Sequence, residues 1–165
     1  MKLMRLARHV ATTRWSTRRH FTPQVRAAIE QAIRECEARH NGQIRFVVET
    51  ALDIPELWHD MRPRQRALHL FGQLGVWDTA ENNGVLIYVL MADRAVEIIA
   101  DRGIAAHVAE AEWATVCRQM QHHYRERRFQ EGSLVGILGA GALLGRHFPG
   151  KGASGEELPS QPVLL

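Results

Sequence analysis

The stretch "NNGVLIYVLMADRAVEIIADRGI", residues 82–104, decides the fold. Residues 84–91 are nearly all apolar, which marks a strand covered on both faces. Only Ala92, Asp93 and Arg94 separate it from a second β-branched run, 95–100. A parallel crossover needs roughly a dozen residues, so the second run must return antiparallel, as a hairpin. The start of the first strand then lies beside the end of the second. Glu81, Asn82 and Asn83 should approach Asp101 there, and Arg94 and Arg102 should sit at opposite ends.

Helical patterns surround this hairpin. Thr22 suits an N-cap and Pro23 the first helical position. Val25, Ile29, Ala32, Ile33 and Cys36 follow as one stripe, and Asn41-Gly42 should stop the helix as a left-handed cap. "QIRFVVE", 43–49, reads as a strand. "DIPELWHDMRPR" reads as loop or a short turn between prolines. A helix over 63–75 points Ala67, Leu68, Phe71 and Leu74 inward and stops at Gly75. Residues 108–126 and 130–147 complete the helices, the former with Trp113, Val116, Cys117, Met120 and Tyr124 on one face. The strand–helix–strand step implies a parallel pair, so helices cover both faces of a small mixed sheet. The expected architecture is an α/β three-layer α/β/α sandwich.

The 165 residues fit one domain with tails, and 45% hydrophobic residues suffice for a core. The net charge is +3, but residues 1–20 hold Lys2, Arg5, Arg8, Arg14, Arg18 and Arg19 and no acid, which is +6 and leaves −3 for the other 145 residues. The basic balance therefore belongs to the N-terminal arm. Residues 3–19 read as one amphipathic helix with Leu3, Ala7, Val10, Ala11 and Trp15 on a side, suited to an anionic membrane surface or to docking on its own domain. The organisation expected is an arm at 1–19, a domain at 20–148 and a flexible or loosely laid tail at 149–165. Arginines interrupt any secretory h-region. "GSLVGILGAGALLG" is too short to span a bilayer, and its G-x-x-x-G spacings should let a helix lie close on the sheet. Cys36 and Cys117 read as small buried hydrophobes rather than a disulfide or metal pair.

The hairpin sequence N-G-V-L-I-Y-V, then D-R-x-V-E-I and a glycine turn, resembles the TPM domain family. That family is named for a thylakoid lumen protein, a photosystem II repair protein and a modulator of acetylcholine receptors. "F-x-x-L-G" at 71–75 and "FQEGSLVGI" at 129–137 support the resemblance, which spans about residues 20–148. It implies an α/β/α sandwich and roles tied to membrane complexes. It also implies, for some members, divalent metal binding or acid phosphatase activity. The chain looks like a bacterial branch without signal peptide or membrane anchor, hence cytoplasmic or peripheral at the inner membrane face. Relatives carry an aspartate where this chain has Asn82, and an acidic pair where it has His20-Phe21-Thr22.

Independently of the resemblance, Asn82, Asn83 and Asp101 form the candidate metal set, because amide and carboxylate oxygens suit Ca²⁺ or Mg²⁺. The departures from the family remove negative charge, so the expectation is no cofactor beyond weak Ca²⁺ or Mg²⁺. His59, Asp60 and His69 lack a partnered nucleophile, and His122-His123 lack the i, i+4 spacing of a helical zinc pair. Nucleotide-loop and serine-hydrolase motifs are missing from the sequence. No catalytic residue is assigned. Arg5, Arg8, Arg14, Arg18 and Arg19 are the docking residues, for a protein partner in a membrane complex or an anionic membrane surface. No aromatic platform accompanies them, so nucleic acid is not the expected partner. The function expected is a non-catalytic interaction module, with a metal-assisted acid phosphatase as the alternative.

Overall fold

The computed structural model describes residues 2–150 and 157–165, Lys2 without its side chain. In chain order the elements are α1 (Lys2–Ala11), α2 (Arg14–His20), α3 (Pro23–Glu37), β1 (Gln43–Glu49), α4 (Ile54–Trp58), α5 (Pro63–Gln73) and β2 (Gly84–Leu90). They continue with β3 (Ala95–Ala100), α6 (Arg102–Ala105), α7 (Glu110–Arg125), α8 (Phe129–His147) and β4 (Val163–Leu164). The sheet order is β3-β2-β1-β4. β1 runs parallel to β2 with Ile44 opposite Val85 and Phe46 opposite Ile87, while β3 returns antiparallel to β2.

Alternation along the strands builds two cores. Ile44, Phe46 and Val48 of β1 join Val85, Ile87 and Val89 of β2 on one face, against α3, α7 and α8. Val47, Leu86, Tyr88 and Leu90 face the other way, against α5 and Leu158. β2 is therefore buried along its whole length, as its unbroken apolar run predicts. The fold is the expected α/β sandwich of three layers. The acid on the α5 face is satisfied: Glu49 is held by Arg66 at 2.6 Å and receives the Tyr88 hydroxyl at 2.5 Å. Burial, and then the negative charge of Glu49, push the Tyr88 phenol above its ordinary range.

Local signals behave as their chemistry requires in α3 and at Gly75. Thr22 Oγ1 accepts from the Val25 N–H at 3.3 Å, Pro23 opens the helix, and Ile29, Ile33 and Cys36 are buried. Gly75 stops the chain after α5 with φ +65°, where a glycine costs least. Six expectations need correction. α3 ends at Glu37, and Gly42 does not take a left-handed φ; a Cβ there would press on the end of the Leu144 side chain, which would have to shift. Leu68, placed inward by spacing, is half-exposed on α5. The proline-flanked "loop" contains α4, opened by an Asp53 N–H that donates to Glu56 Oε2 at 3.0 Å. A short α6 precedes α7. The glycines of α8 make room for neighbouring helices rather than for the sheet, since a Cβ at Gly141 would strike Cys36 of α3 and one at Gly136 would strike Met120 of α7.

The sixth correction concerns the tail. Its segment 151–156 lies outside the described residues, but its end is β4, paired parallel to β1 with Val47 opposite Val163. The Leu165 N–H donates to Val48 O at 2.9 Å, and the Thr50 N–H donates to Leu165 O at 3.0 Å. An open strand edge offers unpaired backbone groups, and this segment fills it. No described helix is long and apolar enough to cross a membrane.

Candidate functional site

The open end of the hairpin gathers Asn82, Asn83 and Asp101 as the register demands. The Asp101 N–H donates to Gly84 O at 2.9 Å, and Asp101 Oδ1 accepts from the Arg102 N–H at 2.7 Å to start α6. Asn83 is buried. Its Nδ2 donates to Asn41 O at 2.7 Å, and its backbone N–H donates to Thr79 Oγ1 at 3.0 Å. The Gln43 N–H donates to Asn83 O at 3.1 Å, so Gly42-Gln43 joins this edge as the parallel pairing requires. Asn82 holds a left-handed φ of 52°, which Asn tolerates better than most residues. Two acceptors are left over: Asn83 Oδ1 and Asp101 Oδ2 are buried without a partner.

Those two oxygens suit a hard cation. The third member of the expected set does not join them. Asn82 Oδ1 accepts from Arg102 Nη2 at 3.0 Å and Nε at 3.2 Å, so a guanidinium occupies it. Among the described residues, no cluster of three or more His, Cys, Asp or Glu side chains could hold a metal ion. Arg94 lies in the hairpin turn, at the opposite end from Arg102. His59 and His69 are exposed, and His122 faces Glu126 at 3.6 Å on its own helix.

The N-terminal arm is two helices rather than one. Thr13 caps α2 by accepting from the Ser16 N–H at 3.3 Å, which breaks the expected single helix at Thr12-Thr13. α1 faces the domain with its polar side: Arg5 Nη2 donates to Asp93 Oδ2 at 2.7 Å and to Met61 O at 2.7 Å. His9 is buried beside them, its Nδ1 accepting from the Leu52 N–H at 3.0 Å and its Nε2 lying 3.1 Å from Asp93 Oδ1. The Nε2 approach is close but lacks hydrogen-bond geometry, so this nitrogen lies buried beside the carboxylate without a hydrogen-bond partner. Burial alone would raise the Asp93 carboxyl, but the hydrogen bonds from Arg5 and the neighbouring His9 ring prevail and hold it below the usual carboxylate range. Of the expected docking residues, Arg5 is thus spent inside the protein and Arg8 lies 3.4 Å from the same carboxylate, while Arg14, Arg18 and Arg19 remain exposed. The apolar side points outward: Leu3, Val10 and Trp15 are 79%, 70% and 69% exposed.

The three-layer architecture and the hairpin place this chain among known proteins. A family model described as the TPM domain matches residues 17–143. The chain belongs to the TPM domain family. The NMR structure of the BA42 protein from the psychrophilic bacterium Bizionia argentinensis is similar to it, with a TM-score of 0.76 and 32% identity over 87% of this chain and 94% of that one. The N-terminal domain of a protein from P. gingivalis shares the fold, with a TM-score of 0.62 and 19% identity over 77% of this chain and 78% of that one. No protein of curated function matches the chain.

The Asp93 clamp and the ring contacts around His20 are absent from the sequence reading. Arg5 and His9 are spaced i, i+4, so they share one helix face, and that spacing is the one local signal for the clamp. His20 stacks on Phe129 with centroids 4.3 Å apart, across more than a hundred residues of chain, and no local pattern announces it.

Proposed function

We propose that this TPM-domain protein is a non-catalytic interaction module that docks through its N-terminal helices on an anionic membrane surface, at the inner face and beside a membrane complex. The observation that supports this reading is the orientation of α1. A helix normally buries its apolar side, whereas this one is fastened by Arg5 and His9 and leaves Leu3, Met4 and Val10 in solvent. Trp15 continues the exposed strip, with Arg19 stacked above its ring at 5.4 Å. Apolar side chains flanked by arginines match the boundary between acyl chains and anionic headgroups. The test is co-sedimentation with phosphatidylglycerol vesicles at low and physiological salt. Full-length protein should bind with salt sensitivity, and Leu3→Glu/Val10→Glu should bind at least about tenfold less, since each buried aliphatic side chain is worth about 1.5–3 kcal/mol. Equal binding by the variant, or no binding by the wild type at low salt, would falsify the reading.

A second reading rests on the two unpartnered oxygens: Asn83 and Asp101 hold Ca²⁺ or Mg²⁺ weakly, as a metal-assisted phosphatase would require. A bound ion supplies Lewis acidity toward a phosphoryl oxygen. Asn83 and Asp101 would hold it, and Arg102, tied to Asn82, stands as the cation that opposes it. Titrating Ca²⁺ should then move amides at 82–84 and 101–103 saturably, and Asp101→Asn, which can still cap α6, should abolish the shifts. Absence of shifts at millimolar Ca²⁺ removes this reading.

A further inference from the structure

A cleft of about 760 Å³ opens at the other end of the hairpin, between α2, the end of β2, the hairpin turn and the α7–α8 turn. Its size suits a small-molecule ligand. Arg19, Arg94, Arg125 and Arg127 line it, together with His20, and no acidic side chain lines it among the described residues. None of the four guanidiniums meets a carboxylate in an ion pair among the described residues. The acid nearest in sequence to Arg94 is Asp93, and its oxygens are already engaged by Arg5, Arg8 and His9. Glu126, beside Arg125 and Arg127, pairs instead with Arg128. The cleft therefore carries a concentrated positive charge that the protein does not neutralise. His20 reflects it: burial first, and then Arg127 and Arg19, hold its imidazole below the ordinary range.

The backbone at two of these arginines is unusual. Among the described residues, four other than glycine have a left-handed φ: Asp60, Asn82, Arg94 and Arg127. Asp and Asn tolerate that region, whereas an arginine there is held at a cost. Both arginines in this state belong to the cleft, at φ 53° and 59°. Asparagine or glycine would relax either turn, and the chain carries a guanidinium at each.

We infer that this cleft is a binding site for a ligand bearing two phosphates. One phosphate group carries a charge of about −1.5 to −2 near neutral pH, so a pair of phosphates matches four guanidiniums better than one does. Guanidinium forks pair with phosphate oxygens in bidentate fashion, which fixes such a ligand without any metal. The exposed Trp15 ring at the rim offers an apolar face to whatever the phosphates carry. The cleft is separate from the Asn83–Asp101 end, and the inference does not depend on the arm's docking. The same paired phosphates occur in a soluble diphosphate and in a lipid headgroup with two phosphates.

The test uses tag-free full-length protein and the variant Arg94→Asn/Arg127→Asn, whose substitutions suit a left-handed backbone and should keep the fold. The probes are inorganic pyrophosphate, cardiolipin vesicles, and phosphatidylglycerol vesicles of equal surface charge. Binding of pyrophosphate with saturable amide shifts at 88–94 and 121–129, weakened about tenfold or more per arginine removed, supports the site and a soluble ligand. A severalfold preference for cardiolipin over phosphatidylglycerol that disappears in the variant supports the site and a lipid source. Wild type and variant behaving alike toward every probe, or no saturable response to pyrophosphate and no cardiolipin preference, overturns the inference.

Discussion

α1 and α3 are amphipathic helices that lie on the same domain in opposite ways. α3 sinks its stripe of Ile29, Ile33 and Cys36 into the core between the sheet and α8. α1 turns its apolar side to solvent and is held by Arg5 and His9 on one carboxylate, Asp93. Periodicity reports which side of a helix is apolar. It does not report which side packs when a buried ion pair outcompetes the apolar stripe. One helix is fastened by area removed from water, the other by a few directional bonds, and the two modes respond differently to substitution.

The largest effect is expected in α3. Ile33 is fully buried, and Ile33→Ala should destabilise the whole domain by about 2–5 kcal/mol, through lost transfer free energy and a cavity. Chemical denaturation should show a lower midpoint with an unchanged slope. A loss below about 1 kcal/mol would mean that α3 is as lightly held as α1, and the contrast between them would collapse.

A smaller and more local effect belongs to Asp93. Asp93→Asn leaves the shape of the turn but removes the charge that Arg5, Arg8 and His9 share, and a hydrogen bond to a charged group contributes about 1.5–3 kcal/mol. The cost should fall on α1 alone, read as faster amide exchange at 3–11 with the domain's exchange unchanged. The pH dependence has the same origin. The folded carboxyl is held below its unfolded value of about 4, so its contribution is complete above that value. It is lost as pH falls through the lower folded value. Amides of α1 should lose protection in that acid window before the domain unfolds, and Asp93→Asn should be insensitive to it. Protection that is equal at pH 6 and pH 3 would show that the clamp is not what holds the helix.

The hairpin, the parallel partner strand and α3 were legible because their period-2 and period-3.6 patterns coincide with the direction of burial. Asn82, Asn83 and Asp101 came together for the same reason: a short turn fixes the register, and register fixes neighbours. The fold of Arg102 back onto Asn82 is a side-chain choice, and backbone pattern carries no trace of it. β4 has two residues in its ladder, too few for any periodicity, and it exists because the edge of β1 is open to it. The Asp93 clamp joins residues 88 positions apart, and the arginine cleft is assembled from three separate segments. Long-range contacts of this kind leave composition and periodicity unchanged, so the sequence marks the arm as amphipathic without saying which of its sides meets the domain.

The smallest effect sharpens the comparison most. Leu3→Ser and Val10→Ser remove apolar atoms from α1 as Ile33→Ala removes them from α3, yet Leu3 and Val10 are already in water in the folded protein. Nothing is lost in transfer, and serine costs only a few tenths of a kcal/mol in helix propensity. The double variant should therefore match the wild type to within about 0.5 kcal/mol per site in denaturation, with the exchange of α1 amides little changed. If it instead destabilises the domain as Ile33→Ala does, those side chains are buried in solution and α1 docks by its apolar side after all. If stability holds while vesicle binding falls, the apolar side of α1 serves an external surface, and the inverted docking is what frees it to do so.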